Sequence, residues 1–178
     1  MIKIENFEVL GWEHAIRGMR NPMNSWEKSD SHYECHEYDK LSDDDKNVYL
    51  IDGYVPGPND YQLMTQLRNA GTDHRKFMRM ITVYLDITAP LYFWKEFDTY
   101  KKEFTLDDFS CEHLNDEPHH RDWIESAIVY ETVMLNYEVL ANIYKSRRNH
   151  KLDEWRDFCE WIETLPYSEL ITREKEND

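Results

Sequence analysis

The segment RMITVYLDI, residues 79–87, constrains the fold more than any other part of the chain. Ile81, Val83, Leu85 and Ile87 recur at every second position, with Thr82, Tyr84 and Asp86 between them. A helix would scatter the first four around its surface, whereas a pleated strand lines them up on one face. Valine, isoleucine, threonine and tyrosine are also the residues that a half-buried sheet favours. The strand is expected to end at Ala89-Pro90. A proline is tolerated in a first helical turn, where its missing N–H would be unpaired anyway. LYFWKEFDTYK, residues 91–101, therefore reads as a helix that opens at the strand's end.

The remaining elements follow from the same rules. MIKIENFEVLGW places Ile2, Ile4, Phe7 and Val9 in an alternating pattern and reads as a first strand. EHAIRGMRNPMNSWEKSD predicts a short helix broken by Gly18 and Pro22, and residues 30–45 read as an exposed Ser/Asp/Glu-rich loop. VYLIDGYVPGPND is a short apolar run closed by Gly-Pro turn signals. Asn59 or Asp60 then caps a helix with Leu63, Leu67 and Ala70 inward, and Gly71 stops it. Thr105 caps an expected short helix at 105–114, and NDEPHHRD is a turn. From Trp123 to Asn149 the pattern predicts a helix with Ile128, Val133, Leu135, Leu140 and Ile143 as its apolar stripe. A last helix, 151–165, turns Leu152, Trp155, Cys159 and Ile162 inward and stops at Pro166, leaving TREKEND as a polar tail. The class is α+β, an antiparallel sheet with packed helices. The 178 residues are the length of one domain, 1–178.

Charge narrows the function classes. A formal net charge of -15 argues against binding nucleic acid through phosphate neutralisation. It suits an enzyme, and equally an acidic protein that fills a partner's basic groove. No apolar run approaches the roughly 20 residues needed to span a bilayer, and no secretory signal pattern opens the chain. Cys35, Cys111 and Cys159 make no disulfide framework and read as reduced thiols of a cytoplasmic protein. His32, Cys35 and His36 have metal-ligating chemistry but no closing pair at zinc spacing; His113, His119 and His120 are far along the chain, so no metal site is assigned. Ser42–Lys46 reads as a solvated acidic loop, and Tyr92, Phe93, Trp94 and Phe97 read as core.

LNYEVLANIYKSRRNHKLDEW, residues 135–155, carries Asn136, Asn142, Arg147, Arg148 and His150 in an otherwise acidic chain. On a continuous helix Asn136 and Arg147 share a face and Asn142 flanks it. An arginine fixed there offers a planar fork of donors to a carboxylate, a phosphate or a pyrimidine edge. A solvated polar face would carry the same residues.

Two segments together resemble the flavin-dependent thymidylate synthases. In residues 74–101, HRKFMRMITVYLDITAPLYFWKEFDTYK, a His precedes an alternating strand, and Ala89-Pro90 open the helix as in that family. Lys95-Glu96 stand where the family has Arg-Gln, and Thr99-Tyr100-Lys101 where it has an Arg-His-Arg triplet. In the second segment Asn136, Asn142, Arg147, His150 and Glu154-Trp155 follow the order of the family's Asn-x5-Asn/His-x4-Arg stretch. The family's signature loop after the triplet, which binds the nucleotide phosphate, has no counterpart, because Lys101 runs directly into KEFTLDDF. The family's second phosphate-binding arginine has no placed counterpart, Arg121 being the candidate.

The resemblance implies a homo-oligomer, a tetramer by family habit, with each flavin site built from several subunits. It implies FAD held by His74, Thr99, Tyr100, Lys101, Asn136 and Asn142, and a dUMP-like nucleotide bordered by Lys95, Glu96 and Arg147. Arg147 would act catalytically by stabilising negative charge on the pyrimidine. The implied reaction is reductive methylation of dUMP or a related pyrimidine nucleotide, with a folate and NADPH as co-substrates and the hard chemistry belonging to the cofactors. Two alternatives stand beside it. One is a nucleotide- or flavin-binding protein that has lost turnover. The other is an acidic interaction protein, of viral type, that blocks a basic groove.

Overall fold

A computed structural model of the protein describes residues 2–34, 50–51, 53–100 and 128–173. Its centre is a four-stranded sheet in the order β3-β1-β5-β6. The strands are β1 (Lys3–Leu10), β3 (Leu50–Ile51), β5 (Thr82–Pro90) and β6 (Ile128–Asn136). β1 and β6 both run antiparallel to β5, and β3 joins the far edge parallel to β1. A separate two-residue ladder joins β2 (His32–Tyr33) to β4 (Tyr54–Val55). The α-helices among the described residues are α1 (Trp12–Arg20), α2 (Pro58–Asn69), α3 (Leu91–Phe97), α4 (Tyr137–Arg147), α5 (Asp153–Glu163) and α6 (Glu169–Thr172). The fold is mixed helix and antiparallel sheet, as the alternation in β5 and the helical periodicity elsewhere imply.

The alternation of β5 is realised in full: Ile81, Val83, Leu85 and Ile87 are completely buried, and Tyr84 is exposed. In β1 the inward residues change parity, from Ile4, half-buried, to Phe7 and Val9, buried. A bulge between Glu5 and Glu8, with Asn6 at φ 49, inserts the extra residue that shifts the pleat.

The largest departure from expectation lies at residues 128–136. They form a strand paired along its whole length with β5, from Thr82↔Asn136 to Pro90↔Ile128. The segment IVYETVML is rich in β-branched residues, and nine residues of a buried neighbouring strand offer it a complete hydrogen-bond ladder. The helix therefore begins only at Tyr137. Other boundaries move less. α1 runs through Gly18, and the chain leaves it in a 3₁₀ turn over Asn21–Met23 that contains Pro22. α2 takes Pro58 in its first turn behind Gly57 as the N-cap, so neither Asn59 nor Asp60 caps it. The carboxylate of Asp30 accepts the backbone N–H groups of both residues instead. Met64 is the fully buried apolar residue of α2; Leu63 and Leu67 are half-buried and Ala70 is exposed. Gly71, at φ 119, ends the helix as expected. Pro90 caps α3 from its N-cap position, and α3 stops at Phe97. α5 is shorter than the expected 151–165 segment and has Leu152 as its N-cap.

Aromatic side chains close the core beside the sheet. Phe93 and Phe97 of α3 meet Trp155 and Phe158 of α5, and all four are fully buried. The Phe93 and Trp155 ring centroids lie 4.6 Å apart, and those of Phe93 and Phe97 5.4 Å. Each such ring contributes about 1.5–3 kcal/mol by leaving water. This packing fixes α3 against α5 and so determines where the ends of α3 and α4 meet.

Candidate functional site

α3, the turn after it, the end of α4 and the start of α5 bring five polar or aromatic side chains together. Arg147, the last residue of α4, donates from Nη1 to Glu96 Oε2 at 2.6 Å and from Nε to the Tyr100 hydroxyl at 3.0 Å. Its guanidinium lies over the Trp155 ring, 4.7 Å from the centroid. The Trp155 indole N–H donates to the same Glu96 oxygen at 3.0 Å. Because Ser146 Oγ donates to the Asn142 carbonyl at 2.9 Å, the Tyr100 proton is free to point at Ser146 Oγ, also 2.9 Å away.

His150 completes the group. Its Nδ1 accepts the Leu152 backbone N–H at 3.3 Å. Nε2 stands 3.1 Å from Arg147 Nη1 and 3.9 Å from Glu96 Oε2. Arg156 holds the turn by donating to the carbonyls of His150 and Lys151 at 2.9 and 3.1 Å.

The electrostatics follow from this geometry. The Glu96 carboxylate offsets the Arg147 charge, so the pair presents little net charge outward. Side-chain exposure is 20% for Arg147 and 37% for Glu96. Among the described residues, Nη2 of Arg147 has no hydrogen-bond partner. It is a donor held in place by the other contacts of the same planar fork.

The other site residues expected from the sequence are not gathered here. Asn136 belongs to no helix face: it is the extended N-cap residue of α4, and its Oδ1 accepts the Val139 N–H at 3.0 Å. The shared helical face read for Asn136 and Arg147 is thereby overturned. Asn142 is exposed, and its Oδ1 lies 3.5 Å from Arg75 Nη2. His74 is exposed at the N-cap of the 3₁₀ turn Arg75–Met80. Lys95 is exposed, and Thr99 Oγ1 donates to the Glu96 carbonyl at 2.8 Å. Lys101, Arg121, Cys35, His36, Cys111, His113, His119, His120 and the acidic run Ser42–Lys46 lie outside the described residues, as does the expected 105–114 helix.

Sequence reasoning passed over Ser146 and Arg156, which position Tyr100 and His150. The i, i+4 spacing of Asn142 and Ser146 on one helix face was the available signal.

Of the residues expected to hold a flavin, Asn136, Thr99 and Tyr100 hydrogen-bond to local partners, and His74 and Asn142 are exposed. Among the described residues no group of three or more His, Cys, Asp or Glu is placed to hold a metal ion. Nor is any described helix long and apolar enough to cross a membrane.

No protein-family model and no curated protein sequence matches this chain. Among solved structures, the chain is similar to the flavin-dependent thymidylate synthase of Helicobacter pylori in complex with FAD and dUMP. The TM-score is 0.55, the identity 14%, and 96% of each chain is covered. At that identity the likeness shows the fold.

Proposed function

We propose that this chain is a binding protein on the flavin-dependent thymidylate synthase fold. In this reading it holds a flavin or a pyrimidine nucleotide by a ring carbonyl at Arg147, without producing thymidylate. The observation that carries the reading is the Arg147–Glu96 pair. A guanidinium already neutralised by a carboxylate at 2.6 Å is a poor partner for a phosphate or an ionised pyrimidine. Its outward Nη2 remains a good donor to a neutral carbonyl, and both flavins and pyrimidines carry one. The Trp155 ring under the guanidinium and the Tyr100 hydroxyl keep that donor from swinging away. His74 and Asn142, exposed on the surface, would meet the ligand where copies of the chain come together, which makes the binder a homo-oligomer, a tetramer by family habit.

The second reading, FAD-dependent reductive methylation of dUMP with a folate and NADPH, is favoured by the preorganisation of Arg147 and by the likeness to an enzyme crystallised with FAD and dUMP. It needs Arg147 to stabilise negative charge as it develops, which Glu96 opposes.

One experiment separates the two. The purified protein is scanned from about 300 to 550 nm before and after loading with FAD and desalting, then assayed for dTMP in the presence of dUMP, methylene-tetrahydrofolate and NADPH. A retained flavin band, or a melting temperature raised by dUMP, with no dTMP supports the binder. Measurable dTMP establishes the enzyme. Absence of both a flavin band and a dUMP shift rejects both readings and turns attention to the acidic surface.

A further inference from the structure

The chain holds 36 acidic and 21 basic residues, yet one groove has no carboxylate among the described residues of its wall. It has a volume of about 520 Å³ and lies between the Arg68–Arg75 segment, α4 and the end of α6. Arg68, Arg75, Lys145 and Arg173 line it, over a floor of Ala141, Tyr144 and Ile171. In a chain of this composition a random wall would carry more acids than bases, so four cations with no acid is a local inversion of charge.

Among the described residues little neutralises these cations. Arg68 Nε donates to the Leu170 carbonyl at 3.1 Å and Nη1 to Asn69 at 3.1 Å, both uncharged acceptors. Arg75 Nε is buried without a hydrogen-bond partner, its nearest carboxylate oxygen being Glu138 Oε1 at 3.7 Å. Glu138 is already engaged by Arg79. Lys145 and Arg173 are exposed and have no ion-pair partner among the described residues. The cations also act on one another: burial first, then Arg75 and Arg173, lower the pKa of Arg68. Like charges held this close cost free energy that a bound anion would recover.

From this geometry we infer that the groove is a binding site for a phosphorylated small molecule, a phosphate mono- or diester of a compact organic group. Arg75, Lys145 and Arg173 contact the phosphoryl oxygens, and Arg68 adds charge from behind them. Ala141, Tyr144 and Ile171 take the organic part. Charge-assisted contacts of this kind are short and strong, and an arginine fork matches phosphate geometry. Lys145 and Arg147 are two positions apart on α4 and project about 200° apart around its axis. The Arg147 cluster is thus on another side of α4, whereas Asn142, 3.5 Å from Arg75 Nη2, borders the groove.

The test is calorimetric titration of the full chain at constant ionic strength with inorganic pyrophosphate and, separately, with adenosine 5′-monophosphate, whose base has no ring carbonyl for Arg147. Saturable binding at one site per chain is expected, weakened about tenfold by Lys145→Ala and again by Arg173→Ala. Tighter binding of the nucleotide identifies the organic part as a ligand of the apolar floor; tighter binding of pyrophosphate identifies a bare phosphoryl site. No saturable heat at millimolar concentrations overturns the inference, and so does binding that both alanine variants leave intact. Both substitutions are at exposed side chains, so circular dichroism and the melting temperature should match the parent.

Discussion

Arg147 Nη1 lies 2.6 Å from Glu96 Oε2, at the junction of the end of α4 with α3. The carboxylate restrains the cation in two ways: it fixes the guanidinium in place and cancels its charge. Glu96→Gln separates the two effects, because the amide oxygen can still accept from Arg147 and from Trp155 Nε1. Partly exposed pairs contribute little to stability, so the variant should unfold within about 1 kcal/mol of the parent. Binding of dUMP should tighten about fivefold to tenfold at low salt, and the gain should vanish at high salt. Calorimetry at two salt concentrations measures both. Unchanged or weaker binding would show that Glu96 does not restrain the site.

Asn136 is a cap, and its substitutions should behave like those of a cap. Its Oδ1 satisfies the Val139 N–H, one of the orphan donors at the start of α4. Asn136→Ala should cost about 1 kcal/mol, whereas Asn136→Asp and Asn136→Ser should restore most of it. Denaturant unfolding of the three variants gives the order directly. If all three are as stable as the parent yet fail to retain FAD, the side chain serves a ligand and not the helix.

How much of this was legible follows from where the decisive forces act. β5 was legible because a strand buried on one side writes period two into its own residues, Ile81 to Ile87. The turn signals at Gly71 and Pro90 were legible for the same local reason. β6 was not. Val133 and Leu135 fit either period, and what makes 128–136 a strand is the open edge of β5, which no local pattern records. That error propagated to the site: once Asn136 leaves the helix, its alignment with Arg147 dissolves. The Arg147–Glu96–Trp155 grouping joins residues about 50 positions apart, and only the packing of Phe93 on Trp155 brings them within reach. The basic groove was hidden by bulk composition, since a net charge of -15 averages away four cations gathered by the fold.

Gly11 and Gly18 should respond to alanine in opposite directions. Gly11 sits at φ 94, and a Cβ there would stand 2.1 Å from the Met80 carbonyl oxygen. Backbone cannot yield as a side chain can, so Gly11→Ala should lose about 2 kcal/mol or more. Gly18 is inside α1, and its Cβ would meet only the Met80 Sδ at 3.0 Å and Cε at 3.5 Å. Met80 is 48% exposed and can move aside, so Gly18→Ala should be neutral or stabilising by up to about 1 kcal/mol. Urea titrations of the two variants, compared by midpoint at equal slope, test the contrast.

The Asp60–Arg20 pair should dominate the acid limb of the stability curve. Asp60 is fully buried and Arg20 nearly so, with Arg20 Nε 2.5 Å from Asp60 Oδ1. Ser29 and Ser31 hydroxyls donate to Asp60 Oδ2 at 2.6 Å each. Burial pushes the Asp60 carboxyl upward, and the hydrogen bonds from Ser29, Ser31 and Arg20 with the Arg20 charge together outweigh it, holding the group below its ordinary value of 3.8. A carboxyl lowered by folding contributes stability that is complete above the unfolded value, about 3.9, and is lost as pH falls through the folded value. Asp60→Asn should therefore flatten the stability profile below about pH 4. At neutral pH it should cost about 3–5 kcal/mol, because Arg20 stays buried without its partner. Ser29→Ala is the milder probe should that variant fail to fold: it keeps the ion pair, raises the Asp60 carboxyl and moves the acid midpoint upward. An acid midpoint that neither substitution moves would show that other carboxylates set the acid limit of this fold.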